Sequence, residues 1–210
     1  IGALGGLYMG YNVGSVAPTL DALIDHFDVP QAYNSLIVGS LILGGLIGSL
    51  FAGQVSRWIG VKLTLALFVI VLGFGASFVT LFSQNYIWLF ITRGLHGISI
   101  GTALMLCPNY TVELAPPELR GMLGSTFNIA MQTGTLFGYI MGFLFTLENV
   151  FEEEVSWRVV YGFSMVFNLI FIFAVIFMPE SPRFRGKVVV DEYSFSINAP
   201  DELKDLSSMM

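Results

Sequence analysis

Long apolar runs alternate along the chain with short polar connections. Six runs stand out, at about residues 1–19, 35–56, 62–82, 87–107, 122–147 and 157–178. A helix rises about 1.5 Å per residue and bilayer hydrocarbon is about 30 Å thick, so roughly 20 apolar residues cross it. Each run is of that order. Continuous apolarity predicts helices rather than the alternate-residue pattern of a membrane barrel. The pattern therefore predicts an all-α membrane protein with six transmembrane helices. The first run begins at Ile1 with no charged segment before it, so it is read as a membrane helix and not as a cleaved leader.

Composition sharpens this picture. Of 210 residues, 55% are hydrophobic and 11% charged, with a mean hydropathy of +0.76. A soluble domain carries about 25% charged residues, so most of this surface faces something other than water. The 23 glycines and 19 phenylalanines indicate close helix packing and lipid contact. A net charge of −6 without a basic stripe argues against nucleic acid. The single Cys107 allows no internal disulfide, and His26 and His96 lie too far apart in sequence to suggest a metal cluster. No metal or cofactor is expected. No nucleophile–base pairing or phosphate loop is visible, which argues against an enzyme.

Lysine and arginine set the expected orientation, because loops rich in them stay in the cytoplasm. Arg57 and Lys62 flank the second connection, Arg120 lies in the fourth, and Arg183, Arg185 and Lys187 follow the sixth run. The odd connections carry Asp21, Asp25 and Asp28, then Glu148 and Glu152–Glu154, with Arg158 nearby. Both chain ends are therefore expected in the cytoplasm, and the 152–154 acids in a solvated outer loop. The sequon at Asn109 falls on the cytoplasmic side, out of reach of glycosylation. Residues 185–210 have neither helical period nor enough apolar length to span, and are expected to form a disordered cytoplasmic tail.

Polar residues inside a membrane are costly and call for a reason. On the fifth run Ser125, Asn128, Gln132, Thr135 and Tyr139 recur every three or four residues, which puts them on one helix face. They either bond neighbouring helices or form the wall of a wet cavity. The cavity reading makes Asn128, Gln132 and Thr135 candidates for bonding a hydroxylated ligand. Beside them Gly134, Gly138 and Gly142 form a small-residue ridge. On the fourth run Arg93 either snorkels outward or faces the interior near Asn12 or backbone carbonyls. His96 is expected to be a satisfied interior residue. Asn12 sits among Gly5, Gly6, Gly10 and Gly14, so the first helix is expected to face protein.

The stretch PNYTVELAPPELRG at 108–121 resembles the P-x-Y-x-x-E-[L/I/V]-[A/S]-P-x-x-x-R-G signature of the sugar porter family of the major facilitator superfamily. Pro108, Tyr110, Glu113, Leu114, Ala115, Pro116, Arg120 and Gly121 match in register. Pro179, Glu180, Ser181, Pro182 and Arg183 match its second signature, and GYNVGSVAP at 10–18 and Trp157-Arg158 resemble its other marks. The resemblance covers residues 1–184. It implies the N-terminal six-helix half of the major facilitator fold, made of two inverted three-helix repeats, with a sugar bound between this half and a C-terminal one. It further implies a plasma-membrane protein that moves a hexose-type sugar by alternating access, with Asn128, Gln132 and Thr135 on the sugar. Arg93 would organise the outer half, while Glu113, Arg120, Glu180 and Arg183 would pair at a cytoplasmic gate. Proton-coupled members resemble one another in an acid in the first helix, where this chain has Asn12. The amide favours facilitative uniport, with proton symport as the alternative. The chain departs from the family pattern in GQVSRWIGVK at 53–62, in Asn128 where glutamine is common, and in having six helices instead of twelve. A truncated membrane protein that does not transport is therefore a further alternative.

Overall fold

The computed structural model describes residues 1–27, 32–83, 85–147, 153–181 and 184. The described residues are almost wholly helical. The first span is made of α1, Gly2–Gly14, and α2, Val16–Phe27. Pro18 has no N–H to offer the Gly14 carbonyl, and the helix is interrupted at Ser15. The second span is α3, Ala32–Ile59. Gly60, with φ +90°, ends it and starts the third span. That span runs through α4, Val61–Leu67, a π-helical stretch, Phe68–Phe74, and α5, Gly75–Leu81. The fourth span is α6, Tyr86–Leu114, and a single 3₁₀ turn, Pro117–Leu119, leads into the fifth, α7, Arg120–Leu147. The sixth is α8, Glu153–Ile176.

Among the described residues, four helices are long and apolar enough to cross a membrane: Ser35–Ile59, Val61–Leu81, Tyr86–Leu114 and Trp157–Ile176. The two other expected spans are present as helices, but they differ for physical reasons. The first is split into pieces of 13 and 12 residues. The fifth is a single helix of 28 residues, its apolarity diluted by Asn128, Gln132, threonines and glycines.

The helices pair in a way that an inverted repeat requires. Exchanging spans one to three with four to six turns a first–fifth pair into a fourth–second pair. The two most extensive seams are these, α1 on α7 and α3 on α6. Both are built from glycine. A side chain on Gly10 or Gly14 would run into the backbone of Met131 or Thr135, and one on Gly134 or Gly138 into the backbone of Leu7, Tyr11 or Ser15. Across the other seam Gly97 and Gly101 face Leu41 and Gly45, while Gly44 faces Gly94. Without Cβ atoms the backbones meet directly, which replaces the hydrophobic driving force that lipid cannot supply between helices. Outward, Ile42, Leu50, Ile87, Phe173 and Phe177 are exposed, as befits helices solvated by hydrocarbon.

Candidate functional site

The polar stripe of the fifth span divides in two. Asn128 and Gln132 are exposed and, with Ile129, Thr133 and Leu136, line an open groove of about 470 Å³. Their amides lie one turn apart on the same helix, so both point into the groove and present donors and acceptors together. Thr135 is half-buried on the other flank, where its backbone meets Gly10 and Gly14 and its hydroxyl donates to the Met131 carbonyl at 2.9 Å. Ser125 and Tyr139 are exposed, and the Ser125 hydroxyl donates to the Gly121 carbonyl at 2.9 Å. The structure thus brings Asn128 and Gln132 together and sets Thr135 apart, against the first helix.

A second polar assembly lies in the interior, where the first, third, fourth and sixth spans meet. Asn12, Arg93 and His96 are each no more than 3% exposed. The Asn12 amide donates to the Tyr8 carbonyl at 2.8 Å, and its oxygen accepts from Ser164 at 2.8 Å. Arg93 faces inward, its guanidinium carbon 3.4 Å from the centroid of the Tyr161 ring. A cation over an aromatic face is attracted by the ring quadrupole, so Tyr161 stands in for a carboxylate. The Tyr161 hydroxyl is 2.7 Å from that of Thr19. Asn12 and Arg93 are thus both interior but engaged with different partners.

His96 is less completely satisfied than expected: its Nδ1 is 3.3 Å from Ser77 Oγ, and its Nε2 has no partner among the described residues. Tyr8 and Ser99 hydroxyls lie 2.9 Å apart, and they close with Asn168 on Gly73 in the π-helical stretch. Of these residues Tyr8, Ser77, Ser99, Tyr161, Ser164 and Asn168 carried no expectation. A signal was available, since Tyr161, Ser164 and Asn168 are spaced by three and four like the fifth-span stripe.

The signature residues form a third assembly at the opposite end from Trp157. Tyr110 donates to the Pro179 carbonyl at 2.8 Å, and Ser181 donates to Glu113 Oε2 at 2.8 Å. Glu180 Oε1 accepts from the backbone N–H of Lys62 and of Ser181, each at 3.2 Å. Lys62 is in the first turn of α4, whose cap position is Gly60 and so has no side chain to satisfy it. Glu180 supplies the missing acceptor from another span, and its charge suits a helix N-terminus. Arg120 Nε donates to the Ala115 carbonyl at 3.3 Å. Pro116 and Pro117 stiffen the link between the fourth and fifth spans. The structure brings Glu113 and Glu180 to the same junction, where their contacts described here are to Ser181 and to backbone amides. Arg183 and the tail 185–210 lie outside the described residues.

Residues 1–194 match the family described as "Sugar (and other) transporter". The chain is 34% identical over 208 residues to the probable metabolite transport protein CsbC of Bacillus subtilis, covering 98% of this chain and 43% of that protein. It is 32% identical to the glucose transporter GlcP of Staphylococcus epidermidis, covering 87% of this chain and 40% of the relative. Among solved structures, the xylose transporter XylE of E. coli superposes with a TM-score of 0.76 at 28% identity, over 87% of this chain and 48% of that one. XylE is also described as a proton:xylose symporter. The chain spans about two-fifths of the length of these curated relatives.

Proposed function

The chain belongs to the sugar (and other) transporter family, and from that premise we propose that it acts as the N-terminal half of a hexose-type transporter working by alternating access. This is a family of transporters and not of enzymes. The observation that carries the reading is the pair of exposed amides, Asn128 and Gln132, side by side in an open groove. A hydroxylated ring offers adjacent donors and acceptors, and two amides one turn apart can bond neighbouring hydroxyls. Thr135 acts one step removed, by seating the fifth helix on the first. A second six-helix half completes the site. Both chain ends face the cytoplasm, and the membrane is the plasma membrane.

Uniport is the favoured energetic mode. Asn12 is buried and bonded through its amide to Tyr8 and Ser164, and an amide takes up no proton. None of the six apolar runs contains Asp or Glu. The alternative, proton symport, draws on the likeness to XylE. The junction of Glu113, Glu180 and Ser181 acts as the gate, with Arg120 and Arg183 as its cations. Tracer uptake into liposomes holding the 210-residue chain, alone and together with a C-terminal half, tests the proposal. Saturable, stereospecific sugar uptake in the combined sample supports it, whereas none in either sample favours a membrane protein that does not transport.

A further inference from the structure

The interior cluster contains an imidazole that the sugar-binding reading leaves unused. His96 stacks on Tyr8, with ring centroids 5.8 Å apart and planes 19° from parallel. Its Nδ1 lies 3.3 Å from Ser77 Oγ, and its buried Nε2 has no partner among the described residues.

A hydrogen count at Ser77 fixes the state of this ring. A hydroxyl has one hydrogen to give and two lone pairs to receive with. The Ser77 hydrogen goes to the Gly73 carbonyl at 2.8 Å, its shortest contact. The Asn168 amide donates to Ser77 Oγ at 3.3 Å, which leaves one lone pair for His96. Ser164, 3.4 Å away, gives its own hydrogen to Asn12 Oδ1. Nδ1 therefore carries the ring hydrogen, and Nε2 is a bare lone pair sealed among helices.

We propose that His96 Nε2 is a proton-binding site built into this half, opposed by Arg93 one helical turn earlier. Filling it sets an imidazolium beside a guanidinium at i and i+3, positions that face each other on a helix. The titratable and charged groups around the pair come from three spans. Arg93 is on the same helix, Tyr8 stacks on the imidazole from the first span, Tyr11 of that span lies near the guanidinium, and Tyr161 lies under it from the sixth. The third span contributes the neutral Ser77. With no acid in any of the apolar runs, a second cation is relieved by the helices parting and admitting water. Acid thus loosens the junction of the third, fourth and sixth spans. This gives the half a sensitivity to pH that does not require a proton to travel with the sugar, and it holds whichever substrate the full transporter carries.

The chain has two histidines, His26 and His96, so His26→Gln leaves a single imidazole. Nitrogen NMR of that histidine-labelled chain in lipid nanodiscs should show an N–H nitrogen at δ1 and a bare one at ε2 at neutral pH. Acidification should convert the ε2 signal to the N–H type in one step, and the melting temperature should fall as the pH drops from the free-imidazole range towards that step and level off below it, because the unfolded chain takes up the proton first. Ser77→Ala removes the acceptor and should move the ring hydrogen toward Nε2, a change that a purely space-filling histidine would not show. His96→Gln should abolish the melting step. An Nε2–H ring at neutral pH, absence of conversion before the chain unfolds, or an acid step retained in His96→Gln would each overturn the proposal.

Discussion

Gly138→Ala tests whether the seam between the first and fifth spans holds this half together. The added Cβ would lie 2.7 Å from the Tyr11 carbonyl oxygen, 2.8 Å from the Ser15 nitrogen and 3.0 Å from the Gly14 carbonyl carbon. Ordinary contact begins near 3.4 Å, so the two backbones must separate by roughly half an ångström. All three atoms belong to the facing main chain, which cannot turn aside as a side chain can. Overpacking costs about 1–3 kcal/mol, and a gap of about 0.5–1 Å forfeits a quarter to a half of the dispersion energy along the seam. The upper figure, about 3 kcal/mol, applies here. The better helix propensity of alanine returns about 0.5–1 kcal/mol, leaving a net loss of about 2 kcal/mol. Gly75→Ala is the control, because nothing lies within 4 Å of its added Cβ. Reversible detergent-induced unfolding of the chain in bicelles, followed by circular dichroism, measures both. Equal stability of the two variants would refute the claim that backbone contact at this seam is what the glycines provide.

Three further outcomes follow from the same geometry. In a twelve-helix form with Cys107 replaced, Asn128→Cys and Gln132→Cys should react with small aqueous thiol reagents and be protected by sugar, while Thr135→Cys reacts more slowly; equal rates at all three, or rates at 128 and 132 no faster than at the lipid-facing Phe173, would count against the groove. Uptake by that form should be insensitive to protonophores, and Asn12→Asp should make it depend on pH, because a buried carboxyl can bind and release a proton as its surroundings change; external alkalinisation by the unsubstituted protein as sugar enters would defeat the uniport reading. Gly60→Ala should destabilise the chain by about 2 kcal/mol, from the positive φ and a Cβ 2.9 Å from the Glu180 carboxylate, and combining it with Glu180→Ala should cost less than the sum, since truncating the acid clears the space; strict additivity in a double-mutant cycle would show that the two do not meet.

The order of apolar runs determined a great deal by itself. Length and continuity of apolarity dictate helices in lipid, because a spanning backbone must satisfy its own hydrogen bonds, and the helices appear where the runs predict them. The signatures at 108–121 and 179–183 led to the family that the wider comparison shows. Helix period placed Asn128 and Gln132 on one face, since that relation is local to the chain. Which part of the polar face stays exposed and which meets protein was not local. Thr135 shares the stripe but lies on the Gly10–Gly14 seam, because the neighbouring helix and not the period decides what covers a flank. Asn12 was legible as a protein-facing residue and Arg93 only as one of two alternatives, and their partners, Ser164 and Tyr161, come from about 150 and 70 residues away. Glu180 was legible as an acid in a motif. Its place at the start of α4 depends on Gly60, a cap position with no side chain, being brought beside the end of the sixth span. Sequence spacing fixes angles around a single helix axis, but contacts between helices depend on how glycine lets backbones approach, and only the packed structure decides that.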